Sequence, residues 1–201
     1  MSIKVGISVG HCYKDMGAEN KELGVTEFVI NSLIIEDLII DLNNMGISPI
    51  IPPTDLMEPG EDLRETTKLF KEENVDAAIE LHLNSISVEE PNKIGGALFI
   101  YYKNNIGEEN ASGKKLAMDL SKEYSTGIPE IKNRGIYPMI VFGNKWFLTD
   151  QKDIPAVIIE SGFISNINKT RLFLDSFFRK RIANCICNGI CNFFDSSLLK
   201  E

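Results

Sequence analysis

The strongest constraint on the fold of this chain is that two apolar periods alternate along almost all of its 201 residues. In residues 3–9, Ile3, Val5, Ile7 and Val9 fall on one parity, the period of a β-strand, and Gly10 ends the run. In residues 25–45, Phe28, Val29, Leu33, Ile34, Leu38, Ile39 and Leu42 recur at three- and four-residue steps. With Thr26 as N-cap and Gly46 as the stop, that pattern predicts a long packed helix. Residues 47–51 read as a short strand, 52–60 as a loop, and 61–73 as a polar-faced helix whose apolar residues are Leu63, Leu69 and Phe70. Further strands are expected over 75–83, 96–102 and 156–159, and further helices over 109–124 and, in one or two pieces, over 165–194. Residues 84–94 and 125–138 read as loops. This order predicts an α/β fold, a single three-layer domain in which a mostly parallel twisted sheet is flanked by helices. No internal repeat and no Pro/Gly/Ser-rich linker divides it.

Composition excludes several classes. An apolar fraction of 43% supplies a core, and a charged fraction of 25% is too ordinary for a disordered chain. The net charge of −8, with no dense basic run, argues against a nucleic-acid partner. The longest apolar stretch, 28–42, is broken by Asn31, Ser32, Glu36, Asp37 and Asp41, so no membrane span is expected. The first fifteen residues carry Lys4, His11 and Asp15 and make a poor signal peptide, which leads to the expectation of synthesis in the cytoplasm without export. Four cysteines, Cys12, Cys185, Cys187 and Cys191, are too few for a disulfide framework, and reduced thiols are expected.

The chain has two histidines, His11 and His82, and each stands at the carboxyl end of an expected strand, the edge where open α/β sheets bind ligands. Glu160 closes the apolar run 156–159 at the same edge, and Glu27 opens the long helix directly after the loop that carries His11. Each residue taken singly has a plain structural explanation. A strand-end histidine can be a hydrogen-bonded support, Glu27 suits the first turn of a helix dipole, and Glu160 can pair with a neighbouring Lys or Arg. Together they match a His-Glu-His zinc site with a free general base. A thiol nucleophile at Cys12 is the rival, weakened because sequence neighbours on an extended segment point apart. Cys185, Cys187 and Cys191 fall on a helix where 187 and 191 share a face, and they fit as small core residues.

The strings Gly10-His11-Cys12-Tyr13-Lys14-Asp15-Met16-Gly17-Ala18, Leu81-His82-Leu83-Asn84-Ser85, Asn133-Arg134-Gly135 and Pro155-Ala156-Val157-Ile158-Ile159-Glu160-Ser161-Gly162-Phe163-Ile164-Ser165-Asn166, with Glu27 between the first two, carry a resemblance. In this order and spacing they resemble the zinc-dependent N-acetylmuramoyl-L-alanine amidases, the catalytic domains of phage endolysins and bacterial autolysins. The resemblance implies one zinc ion on His11, Glu27 and His82, with Glu160 as the catalytic carboxylate. It implies peptidoglycan as substrate, cut at the amide between N-acetylmuramic acid and L-alanine, and bacteriolysis as endolysin or autolysin. Residues 1–195 then form the catalytic domain and 196–201 a tail or linker stub. The enzyme would meet the wall after release through a membrane lesion or cell lysis; oligomeric state is left open. The chain departs from the pattern at Cys12-Tyr13, where small glycines are frequent, and at Glu80, where a serine is. Glu80 shares a strand face with His82, and either supports the site or substrate, or is a solvated residue with a lysine partner. Asn84 and Arg134 are candidates for orienting the site and for meeting a peptide carboxylate, and both equally suit a loop.

Overall fold

The computed structural model describes residues 2–53, 61–141 and 146–198. Its elements are β1 (Lys4–Val9), β2 (Glu19–Asn20), β3 (Val25–Thr26), α1 (Glu27–Asn44), β4 (Ser48–Ile50), α2 (Glu61–Glu73), β5 (Ala77–Asn84), β6 (Ala97–Tyr101), α3 (Ala111–Gly127), β7 (Asn133–Pro138), α4 (Trp146–Asp150), β8 (Ala156–Phe163), α5 (Ile167–Phe173) and α6 (Ser176–Leu198). Among the described residues the main sheet has the order β4-β1-β5-β8-β6-β7. The first four strands run parallel, and β6 with β7 runs against β8. The expected loop at 52–60 lies, from residue 54 on, outside the described residues, as do residues 199–201 of the expected tail.

Local chemistry fixes the helix that matters most for the site. Thr26 is extended and its side chain accepts a hydrogen bond from Val29 N–H, so α1 starts at Glu27. At the other end Gly46 takes φ +75°, a conformation that releases the chain into β4.

Side-chain parity divides the core. Odd-numbered residues of β5 and β8, such as Ile79, Leu81, Val157 and Ile159, pack under α1, α3 and α6 with Ile34, Leu120 and Ile186. Even-numbered residues face the other way, where Ala78, Ala156 and Ile158 meet Phe70 of α2 and Phe147 and Leu148 of α4. Toward the carboxyl edge this second face changes character. On β5 the even column reads Ala78, Glu80, His82, and on β8 it reads Ala156, Ile158, Glu160. The apolar layer thus gives way to a polar patch at the ligand-binding edge of the sheet.

Three expectations are corrected. The stretch 125–138 is not a loop throughout, because Asn133–Pro138 forms the edge strand β7; Gly135, at φ +92°, and Pro138 mask it in sequence, and it is mostly half-buried. Glu160 does not end its strand, since β8 continues through Ser161 and Gly162 to Phe163 with every residue buried. A small hairpin spans the end of the expected loop at 11–21 and the first residues of the helix expected from 25, with Glu19 and Asn20 of β2 pairing with Thr26 and Val25 of β3.

Candidate metal centre

The site is assembled where β1 leaves the sheet. Gly10 N–H makes the last rung to Leu81 C=O at 3.0 Å. Leu83 N–H, the next donor along that edge of β5, goes instead to Glu27 Oε1 at 2.9 Å. The first residue of α1 therefore caps the edge of the sheet with its carboxylate. Glu27 is 3% exposed, and its second oxygen accepts from Ala18 N–H at 3.2 Å. Its backbone N–H is held by Ala18 C=O at 2.8 Å.

Both histidines close on this carboxylate. His82 Nδ1 lies 2.9 Å from Glu27 Oε1, and His11 Nε2 lies 3.4 Å from Glu27 Oε2. The rings meet edge to face with centroids 5.3 Å apart. Each ring has an outer carboxylate on its far nitrogen: Asp15 Oδ2 lies 3.5 Å from His11 Nδ1, and Glu80 Oε2 lies 3.3 Å from His82 Nε2. Two glycines make room for the rings. A Cβ at Gly17, where φ is +69°, would fall 2.5 Å from His11 Cδ2. A Cβ at Gly10 would coincide with the His82 ring.

The electrostatics favour a cation here. Burial works against charge on His82, yet hydrogen bonds to Glu27 and Glu80 and the nearby Glu160 carboxylate push its pKa up to about 10. Burial likewise opposes charge on His11, and Glu27 overcomes it, so that pKa is also raised. For Glu27 burial favours the neutral acid, and the two imidazoles outweigh it and hold the carboxyl well below the usual carboxylate range. The cluster thus stabilises positive charge on its own histidines, and a divalent cation satisfies the same carboxylates.

The donor set fits zinc. One atom each from His11, Glu27 and His82 lies within 4.8 Å of the others. The 3.4 Å contact of Glu27 Oε2 with His11 and the 2.9 Å contact of Glu27 Oε1 with His82 set one carboxylate oxygen against each imidazole, within reach of a shared cation. Two imidazoles and one carboxylate are a zinc-type set that leaves a position open.

Glu160 stands beside this group. Its Cα pairs in register with His82 on one side and Leu98 on the other, and it is 7% exposed. Glu80 is 8% exposed, so the alternative of a solvated residue with a lysine partner does not describe it. Asn84 pairs in register with Phe163, and its side chain accepts from Ser85 N–H. The exposed Arg134 carries its guanidinium over the Phe163 ring, 5.7 Å from the centroid. Its stem crosses Gly96, where a Cβ would fall 2.8 Å from Arg134 Cγ. Cys12 is fully buried inside a turn closed by reciprocal hydrogen bonds with Asp15, so it offers a substrate no thiol. Cys185, Cys187 and Cys191 are free, and burial pushes the Cys187 thiol up to about 12. Sequence reasoning missed Asp15 and the two glycines. The contact of Asp15 depends on the turn at 12–15, which no periodicity announces.

Comparison with known proteins gives a family match. The family model for N-acetylmuramoyl-L-alanine amidase matches residues 5–192. The chain is 22% identical over 191 residues to the protein YqiI of Bacillus subtilis (strain 168), covering 95% of this chain and 84% of that protein. It is 27% identical over 135 residues to the germination-specific N-acetylmuramoyl-L-alanine amidase of the same organism, covering 67% of this chain and 51% of that one. Its fold is that of the N-acetylmuramoyl-L-alanine amidase from Clostridium difficile 630, at a TM-score of 0.83 and 22% identity over 97% of this chain and 98% of the other.

Proposed function

The chain belongs to the N-acetylmuramoyl-L-alanine amidase family, and from that premise we propose that it works with one zinc ion on His11, Glu27 and His82 and with Glu160 as general base. Its activity is that of the family, hydrolysis of the amide that joins N-acetylmuramic acid to the L-alanine of the stem peptide in peptidoglycan. The observation that carries the metal reading is the convergence of three ligand atoms within 4.8 Å of one another, with Glu160 in register beside His82.

When bound, zinc supplies a Lewis acid that lowers the pKa of water toward about 7 and polarises the scissile carbonyl. The protein's residues do the rest. Glu27, fixed by Leu83 and Ala18 N–H groups, keeps both imidazoles at one point. Glu160 takes a proton from the attacking water on its carboxylate and gives it to the departing amine of L-alanine. Arg134, braced on Phe163, meets a carboxylate of the stem peptide, and Asn84 orients the same strand end. Residues 1–195 act as the catalytic domain. The enzyme serves as endolysin or autolysin, reaching the wall after a membrane lesion or cell lysis.

The test is muropeptide release from purified peptidoglycan, with new termini identified by mass spectrometry, with and without chelator and with zinc restored. Free L-alanine amino termini that vanish with chelator and return with zinc are expected. Release that is indifferent to chelator would overturn the zinc assignment, and cuts within the peptide would point to a peptidase.

A further inference from the structure

Glu80 is a buried carboxylate on the same strand face as His82, two residues before it. Its register neighbours are Ser8 on β1 and Ile158 on β8, neither of which carries a countercharge. Among the described residues the ion pair it makes is with His82, whose Nε2 lies 3.3 Å from Glu80 Oε2. A carboxylate held this deep needs a strong donor, and the ring N–H is that donor.

The contact fixes more than the carboxylate. His82 has two ring nitrogens, and with Nε2 turned to Glu80, Nδ1 is the one that faces Glu27, at 2.9 Å. His11 is turned the other way, with Nε2 toward Glu27 and Nδ1 toward Asp15. The two rings therefore present unlike nitrogens to the common point. We propose that Glu80 is a positioning residue that holds His82 by its Nε2–H and so commits Nδ1 of that ring to the metal. This rests on the zinc reading above and goes beyond it, because that reading names only the ligands and the general base. A serine side chain would end two bonds short of a glutamate oxygen, so the 3.3 Å contact needs the longer residue. An outer carboxylate of this kind fixes the ring, sets its tautomer and raises its basicity as a ligand.

The test uses the full chain with Glu80→Gln, which keeps shape and removes charge, and Glu80→Ser, which cannot reach. Zinc affinity is measured by competition with a chelating dye. Long-range proton–nitrogen spectra of the zinc-loaded protein report the imidazoles, and the two histidines in the chain are assigned through their bonds to the sequence-assigned backbone. In the wild type, a downfield, exchange-protected Nε2–H signal and a zinc-bound Nδ1 are expected for His82. In both variants zinc affinity falls by about 10–100-fold. The Nε2–H signal moves upfield in Glu80→Gln and exchanges with water in Glu80→Ser.

Folded variants with zinc affinity within about twofold of wild type and an unchanged His82 signal would overturn the proposal while leaving the zinc assignment intact. So would a wild type that binds zinc through His82 Nε2. A wild type that takes no zinc overturns both readings. If either variant fails to fold, the wild-type spectrum decides alone, since an Nε2–H without a carboxylate-type hydrogen bond contradicts the proposal.

Discussion

A side-chain carbon on Gly10 would fall 1.8 Å from Cε1 of His82, so the ring occupies the space that any other amino acid at position 10 would fill. The backbone cannot retreat, because Gly10 N–H is the last rung between β1 and β5. A Gly10→Ala protein must therefore displace the imidazole from Glu27. Its zinc content under limiting metal is expected to fall about tenfold or more. The forced overlap costs about 1–3 kcal/mol of stability. Elemental analysis after dialysis, with a melting curve, checks both, and full zinc with an unchanged melting curve would refute the assignment.

Glu160 sits in register with His82 but stands on β8, apart from β5 with His82 and from the turn after β1 with His11, so replacing it should separate chemistry from metal binding. Glu160→Gln is expected to lower turnover on peptidoglycan by about two to four orders of magnitude, the scale of a lost general base. Zinc stoichiometry and melting should stay close to wild type. Turnover at the wild-type rate in this variant would remove Glu160 from the mechanism.

Much of this was legible in sequence because the relevant signals are local. The start of α1 follows from Thr26, its end from Gly46, and the even-parity column Glu80-His82 from the period of β5. The convergence of His11, Glu27 and His82 follows from β1 and β5 ending at one edge, where α1 also begins, while Glu160 joins them from within β8. What was hidden depends on distant packing. Ser161 and Gly162 look like turn formers, yet they continue β8, and Gly162 is needed because a Cβ there would lie 2.9 Å from Phe173. The reversal of β6 against β8 leaves no mark in either strand's own residues. The partner of Glu80 depends on which way an imidazole faces, and spacing alone carries no such information.

The loop after β5 is tied down by one buried side chain. Asn166 caps α5 by accepting from Lys169 N–H at 3.1 Å and donates to Asn92 and Ile94 carbonyls at 2.9 and 2.8 Å. Asn166→Ala removes the cap and leaves two carbonyls without that donor, a loss of about 2–4 kcal/mol. The same change frees the loop that follows His82 and Asn84 on β5, so KM on muropeptides should rise more than kcat falls. A denaturant titration and steady-state kinetics test this, and unchanged stability would show that Asn166 anchors nothing.

The pH dependence of stability should reverse sign when zinc is added. Without metal, the pKa of His82 rises from an ordinary 6.5 to about 10 in the folded state. Its contribution is therefore fully present below about pH 6.5 and is lost as pH climbs through about 10. Glu27 is depressed from an ordinary 4.5, so its contribution is present above that value and lost as pH falls toward its folded pKa. The chelated protein should gain most from this cluster between about pH 4.5 and 6.5. Zinc needs the same imidazoles unprotonated, so its binding releases protons and strengthens with pH by about tenfold per unit for each proton released. The difference in melting temperature between zinc-loaded and chelated protein should therefore widen steadily from pH 6 to 9. A difference that is flat across that range would mean that His82 and His11 do not exchange protons for metal, and the ligand assignment would fail with it.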